Sequence, residues 1–473
     1  MPAMTQPIRF LSPRRTWLQR LGEGMRRHGA TIRAIQWAVV VFYLGLVTVP
    51  AFLPLPPQGA HLVNNLVLFA QFLFWGIWWP FVMVSMLLFG RLWCGVFCPE
   101  GTLSEWASRH GRGKPVPRWL KWGGWPFLAF VCTTVYGQLV SVYEYAQAAL
   151  LVLGGSSVAA VIVGLLYGKG KRVWCRHLCP ASGVFALLAK VAPLHFQVDR
   201  AAWDRHGPEA PVNCAPLVDI RRMTSTSDCH SCGRCAGHRD AVQLALRRPD
   251  AEILASRPQD ISSGPALTLL YGVLGVATAA FQWTASPWFV ALKTAGANWL
   301  IAHDSWTLLQ DNAPWWLLTH YPDAGDVFTW LDGLAILTFI LGGGLILGSL
   351  LLLANALASR LTASPRLTWQ RLSMGLVPLG GISVFLGLSM LTVTLLRGEG
   401  FLLGWVSDAR VALLSLGATF ALWLGLRLVW DATPSWWRRL LAFLCYALGP
   451  ALMATVWIMV FFYSGKLDHF VSF

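Results

Sequence analysis

The sequence predicts an all-α polytopic membrane protein of about nine transmembrane helices arranged in hairpins, with one small polar segment set between them. Three observations carry this expectation. The 473 residues are 55% hydrophobic and only 12% charged, a balance far too apolar for a soluble domain of this length. Runs of roughly 20 apolar residues, the length that crosses a bilayer core as helix, recur near 34–53, 63–90, 123–143, 147–167, 264–285, 329–355, 374–396, 410–429 and 440–463. The net charge of +15 is distributed as the positive-inside rule requires, not as a surface for polyanions, which excludes nucleic acid as a partner and leaves membrane lipid as the surroundings.

That distribution sets the topology. Residues 1–33 carry seven arginines against Glu23, and residues 91–121 carry six basic residues against two acids. Residues 356–373 hold Arg360, Arg366 and Arg371 with no acid, whereas 286–328 has only Lys293 against Asp304, Asp311, Asp323 and Asp326. With the basic tail 1–33 in the cytoplasm and strict alternation, every basic loop falls inside and the acidic loop outside. The first span is full length and is followed by Pro50, Pro54, Pro56 and Pro57 instead of a small-x-small cleavage site, so it is expected to remain as an anchor.

Residues 34–182 contain a repeat. Trp93-Cys94-Gly95-Val96-Phe97-Cys98-Pro99 and Trp174-Cys175-Arg176-His177-Leu178-Cys179-Pro180 each follow an apolar run ending in Leu-Leu-aromatic-Gly, and the copies lie 81 residues apart. Two apolar spans fill each interval, so the repeat unit reads as a transmembrane hairpin that delivers a thiol pair to the cytoplasmic face. A spacing of four places both sulfurs of a pair on one helical face or across one turn. Pro99 and Pro180 suit the first turn of a helix, and 100–110 and 181–191 read as short amphipathic helices lying along the surface with their positive ends toward the sulfurs.

Residues 183–262 form the one sizeable polar stretch. They hold Cys229-x2-Cys232-x2-Cys235, with Cys214 15 positions upstream of Cys229. Tight turns at this spacing point three sulfurs at one centre while a remote cysteine completes the set, the arrangement that wraps an iron-sulfur cubane. This makes 183–262 a small cytoplasmic ferredoxin-like iron-sulfur segment. A structural zinc site is the alternative for Cys214, Cys229, Cys232 and Cys235, although zinc sites usually pair two Cys-x2-Cys knuckles.

From 263 to 473 the chain reads as a five-helix transmembrane region. Its external loop 286–328, with Trp299, Trp306, Trp315, Trp316, His303 and His320, is expected to lie on the membrane surface as aromatic interfacial helices and to serve as the outer docking surface. Of the ten cysteines, Cys132 and Cys445 stand alone inside spans and read as inert small hydrophobes. The other eight divide four and four in a compartment where disulfides are rare, which points to metal or iron-sulfur centres. For Cys94, Cys98, Cys175 and Cys179 a shared cubane is preferred; thiols that bind or reduce copper, since soft thiolates select Cu(I), and a dithiol relay stay open. His28, His110, His177, His195, His206, His230 and His238 fall on the cytoplasmic side and His61, His303, His320 and His469 outside or at the boundary, so no pair is set to hold an intramembrane haem.

The doubled Cys-x3-Cys-Pro after transmembrane hairpins, followed by the Cys229 to Cys235 run, resembles the bacterial membrane polyferredoxins over roughly residues 34–262. That family includes accessory proteins of periplasmic nitrate reductase, nitrous-oxide reductase, methylamine dehydrogenase and cytochrome oxidase assembly, and the polyferredoxin component of some periplasmic ferrous-iron uptake systems. The resemblance implies two [4Fe-4S] clusters on the eight cysteines and a multi-pass inner-membrane protein with its N-terminus and motifs in the cytoplasm. It further implies electron exchange between a periplasmic redox or metal-oxidising protein and the cytoplasmic or quinone side, with an iron permease as a further partner in the uptake systems. Two features depart from the family: Arg239 stands where a fourth cysteine of the run would be, so that Cys214 has to complete the set, and the C-terminal five-helix half has no counterpart in the short-tailed members. The size of that half and the lack of a flavin or immunoglobulin-like domain favour the metal-uptake type. The alternative function is a copper or metal reductase, or a metal-relay factor for assembly of a respiratory metalloenzyme. A transporter merely regulated by its clusters is disfavoured by the scarcity of intramembrane charge.

Overall fold

A computed structural model describes residues 16–463, apart from 58, 208 and 226. Among the described residues, eight helices are long and apolar enough to cross a membrane: Gly29–Phe52, Leu66–Phe89, Ala146–Leu166, Ser263–Ala280, Trp330–Thr362, Val377–Gly398, Val406–Ala432 and Trp436–Phe462. They turn apolar side chains outward as well as inward, with Leu345, Ile346 and Leu353 each more than 60% exposed on one helix. Such faces belong against lipid, where backbone polar groups have to be satisfied within the helix itself.

The remaining expected span, 123–143, folds as the 15-residue helix Trp125–Leu139. Pro126 starts it late, and Ser141 at φ +48° stops it early. At 1.5 Å per residue it is roughly 22 Å long, yet it still joins the two ends of the molecule. Pro126 touches the position of Gly183 beside the second thiol pair, and the Leu139 carbonyl accepts a 2.8 Å hydrogen bond from Thr319 in the loop 286–328.

Four spans contain π-helical stretches, Phe72–Trp78, Leu150–Gly154, Thr268–Ala277 and Met459–Tyr463, and such turns free a carbonyl from the regular ladder. One of these, Gly76, accepts a 2.7 Å hydrogen bond from Thr392 of the helix Val377–Gly398. That helix also packs Gly381 against Leu87 and Leu188. The C-terminal region therefore shares one core with the first hairpin, a cluster that joins Met86, Leu188, Leu274 and Leu379.

On the thiol side, Leu194–Val198 and Val242–Leu246 pair antiparallel, from Leu194 opposite Leu246 to Val198 opposite Val242, and close a loop that carries the four cysteines from Cys214 to Cys235. The helix Trp17–Arg27 covers this ribbon. A Cβ on Gly22 would lie 3.1 Å from that of Leu244, Leu18 joins Phe196, Val242 and Leu244 in one apolar cluster, and Gln19 donates to Gln243. The described end of the basic tail is thus a docked helix.

The helices expected along the surface are buried instead. Pro99–His110 buries Gly101, Leu103, Ser104, Ala107 and Ser108, and its Ser104 carbonyl lies against Gly164 of the span Ala146–Leu166. Pro180–Leu188 buries Val184, Phe185, Leu187 and Leu188 in the main core. The reason is compositional: both helices are rich in small and apolar residues on the side that meets the spans, and the spans offer glycines at the contact.

Candidate metal centre

Both thiol pairs of the repeat end short helical turns, Leu92–Val96 and Val173–His177, and the second cysteine of each begins the next helix. Cys98 is the N-cap of Pro99–His110, and its sulfur accepts the Gly101 N–H at 3.4 Å. Cys179 caps Pro180–Leu188 in the same position, without a side-chain cap bond. The expected placement of helix N-termini at the sulfurs therefore holds, and at Cys98 it includes a hydrogen bond.

The structure brings Cys94, Cys98, Cys175 and Cys179 together, close enough that Cys94 and Cys175 bear on the ionisation of Cys98, and Cys94, Cys98 and Cys175 on that of Cys179. Burial, then the Cys94, Cys175 and Glu100 charges, push the Cys98 thiol well up. Burial, against the pull of Arg172, pushes Cys175 up to about 12. Cys179 is likewise raised by burial, with Glu100 the next cause. As free thiols these groups are neutral; a cationic core bound among them reverses that balance.

Cys214, Cys229, Cys232 and Cys235 form a second group. Burial raises Cys229 to about 12, opposed by the Ser231 N–H and reinforced by Cys232 and Cys214. Burial, then Cys229, Cys232 and Cys214, raises Cys235. Cys214 reaches the group because its loop is tied to the second repeat: Arg172 N–H donates to the Ala215 carbonyl at 2.7 Å and Lys171 Nζ to the Cys214 carbonyl at 3.2 Å. Arg239, at the position of a fourth cysteine of the run, sits at φ +52° with its guanidinium over Trp203 at 5.2 Å, turned to packing.

The two groups adjoin. Gly95, between Cys94 and Cys98, has its α-carbon against the loop between Cys229 and Cys232: a Cβ there would lie 2.0 Å from the His230 carbonyl oxygen and 2.9 Å from the Cys232 nitrogen. Arg91 and Arg172 lie at this junction, 4% and 1% exposed. Burial works against the charge of each, but the Cys94 sulfur beside Arg91 and the Glu105 carboxylate beside Arg172 hold it in place. Glu105 accepts from Arg172 at 2.9 Å and from Arg234 at 2.8 Å, and also pairs with Arg109; despite its burial, these cations hold its carboxyl down at about 2. His230 is 2% exposed, and burial, then Arg91 and Arg172, hold it well below the ordinary imidazole range, so it is neutral.

Among the described residues, no three His, Cys, Asp or Glu side chains converge tightly enough to hold a single metal ion. An iron-sulfur cluster is a polynuclear core that takes four cysteine sulfurs arranged around it. The donor set thus fits [4Fe-4S] clusters: soft sulfurs in fours, a helix N–H on one of them, and buried cations to offset negative charge. The outer residues His303, Asp304, Asp311, His320, Asp323 and Asp326 do not assemble into such a group.

A cavity of about 240 Å³ opens from this centre into the apolar part of the molecule. Cys98, Glu100 and Cys179 border one part of it, Trp78, Trp79 and Phe185 line its walls, and Gly137, Val142 and Tyr143 border it near the turn at Ser141 that contacts Thr319 of the loop 286–328. Burial pushes the Glu100 carboxyl up, while Trp174 Nε1 donates to it at 3.0 Å. Arg91, Arg172, Glu100, Glu105 and Gly95 were not singled out from the sequence. The 81-residue repeat offered one signal for the first two, because Arg91 and Arg172 stand at equivalent positions in it, three residues before the first cysteine.

Comparison with known proteins agrees with this geometry. The family described as a 4Fe-4S binding domain matches residues 71–117 and 150–198, one copy on each half of the repeat; the matches contain Cys94, Cys98, Cys175 and Cys179 and end before Cys214. The Escherichia coli (strain K12) protein YccM, whose name puts it forward for electron transport, is 23% identical over 236 residues, covering 43% of this chain and 64% of that protein. The regulatory protein NosR of Pseudomonas aeruginosa is 26% identical over 187 residues, 34% of this chain and 25% of its own length. The chain thus spans less than two thirds of each of these relatives. No solved structure matches it.

Proposed function

We propose that this multi-pass membrane protein of the polyferredoxin type, with its doubled 4Fe-4S binding segment, is an electron-transfer component of a bacterial inner membrane. In this reading Cys94, Cys98, Cys175 and Cys179 hold one [4Fe-4S] cluster and Cys214, Cys229, Cys232 and Cys235 a second, on the cytoplasmic face. Bound there, the clusters supply one-electron chemistry at potentials set by charge, hydrogen bonds and burial. The observation that supports the reading is the contact of the two four-thiol groups through Gly95 and His230, in an interior where Arg91, Arg172 and His230 are all buried.

The protein's own part is to hold, insulate and connect. Cys98 fixes a helix N-terminus at the first group, Arg91 and Arg172 offset its charge, and the helix Trp17–Arg27 shields the second. The cavity supports the membrane quinone pool as one electron partner. It is walled by aromatic rings and reaches the thiols, and an apolar cavity of roughly 150 Å³ already admits benzene. The other partner in this reading is a periplasmic redox or metal-oxidising protein meeting the loop 286–328, in a ferrous-iron uptake system that includes a permease.

The test is iron and acid-labile sulfide per chain on anaerobically purified protein, with EPR before and after reduction. About eight of each, falling to about four in Cys94→Ser, is expected for two cubanes. About four of each in the parent, unchanged in Cys94→Ser, would sink the membrane-face cluster and favour thiol-based copper chemistry. Loss of ferrous-iron uptake with intact copper-dependent oxidase in Cys175→Ser cells would support the uptake role.

A further inference from the structure

Arg91 and Arg172 occupy the same position in the two halves of the repeat, and each reaches across into the other half. Arg172 Nη1 donates to the carbonyl of Cys94, in the first half. Arg91 Nη2 donates at 2.9 Å to Ser182 Oγ, which in turn donates at 2.7 Å to the carbonyl of Cys175, in the second. Each also extends to the Cys214 to Cys235 segment: Arg91 Nη1 donates to the Ser227 carbonyl at 2.8 Å, and Arg172 shares Glu105 with Arg234. One nitrogen of each guanidinium, Arg91 Nε and Arg172 Nη2, is buried with no acceptor among the described residues.

A buried cation with an unmatched donor is costly unless negative charge lies beside it. Here the negative charge is that of the thiolate-held group, and two exchanged arginines make the arrangement symmetric about it. We infer that Arg91 and Arg172 form a reciprocal clamp that locks the two repeat halves around the membrane-face cluster and raises its reduction potential, so that it accepts electrons more readily than its thiolate ligation alone would allow. The inference rests on the two-cluster reading above. Both arginines act as positioning and electrostatic residues: positive charge favours the reduced, more negative state.

The experiment is an EPR-monitored redox titration of the full-length protein and four variants, each first checked for iron content. Arg91→Gln and Arg172→Gln remove the charge and keep a donor; both are expected to move the membrane-face cluster to more negative potential, while Arg91→Lys stays near the parent value. Glu105→Gln removes the counter-charge of Arg172 and is expected to shift the potential the opposite way, which keeps the test open should a Gln variant fail to retain iron. Unchanged potentials in iron-replete variants, a Lys variant that shifts like the Gln variant, or shifts of one sign throughout would overturn the clamp's electrostatic role. A parent protein with about four irons would instead remove the two-cluster reading on which the clamp stands.

Discussion

Gly95 and His230 meet backbone to backbone: a Cβ added to Gly95 would sit 2.0 Å from the His230 carbonyl oxygen, so only glycine lets the first thiol pair lie against the Cys229 to Cys235 loop. The Gly95 carbonyl is itself held, accepting a 2.8 Å hydrogen bond from Gln36 of the first span. The junction is thus clamped from both sides and has little room to relax.

Gly95→Ala is therefore expected to part the two loops or strain them, at a cost of about 1–3 kcal/mol, the usual range for overpacking. Magnetic interaction between the two reduced centres should weaken while total iron is largely kept. An alanine variant with parental stability and unaltered coupling would show that the two groups do not depend on this contact.

Glu252 anchors the base of the ribbon. Burial alone would raise its carboxyl, but Lys190 at 3.2 Å and Arg247 hold it down at about 2. A carboxyl lowered on folding stabilises the fold above its unfolded value and loses that contribution as pH falls through the folded one. Protease sensitivity of the segment 194–246 should accordingly rise as pH drops from about 4.5 toward about 2. In Glu252→Gln that pH step should be blunted, with the segment already more sensitive at neutral pH; a step unchanged in the variant would place the acid-labile group elsewhere.

Thr392→Val removes the hydroxyl that satisfies Gly76 at the π-helical turn. The freed carbonyl lies within a membrane span, and its loss of partner is expected to cost about 1–2 kcal/mol. Thermal unfolding in detergent should register a lower midpoint, whereas Thr392→Ser should stay near the parent. Equal midpoints for Val and Ser would mean that another donor takes over.

Ala280 borders the cavity from the span Ser263–Ala280, on the side away from the thiols. Ala280→Phe should fill part of the space and slow reduction by a quinol analogue about tenfold, equivalent to ~1.4 kcal/mol, with iron content retained. Stopped-flow bleaching of the cluster absorbance provides the measurement, and an undiminished rate would remove quinone from the cavity.

Much of this was legible in one dimension. Bilayer thickness dictates span length and loop charge dictates orientation, so Leu66–Phe89 or Trp330–Thr362 could be read from a run of apolar letters. The thiol spacing was equally open, because Cys94 and Cys98, or Cys229 and Cys232, are set by local turns. The span 123–143 was overestimated for the opposite reason: its apolar run continues past Ser141, and only the turn at φ +48°, which hands the chain to the span Ala146–Leu166, shows where helix ends.

By itself, then, the sequence determined the membrane class, the repeat and the eight candidate cysteines, since each depends on neighbours within a turn or a bilayer's width. The tertiary structure alone decided that the two four-thiol groups touch at Gly95, that Arg91 and Arg172 cross between repeat halves, and that the helices after each thiol pair are buried. Those contacts join residues some 80 to 140 positions apart, such as Arg172 with Cys94 and Arg91 with Ser227. Their partners are chosen by how the spans pack, and no local pattern of letters records that choice.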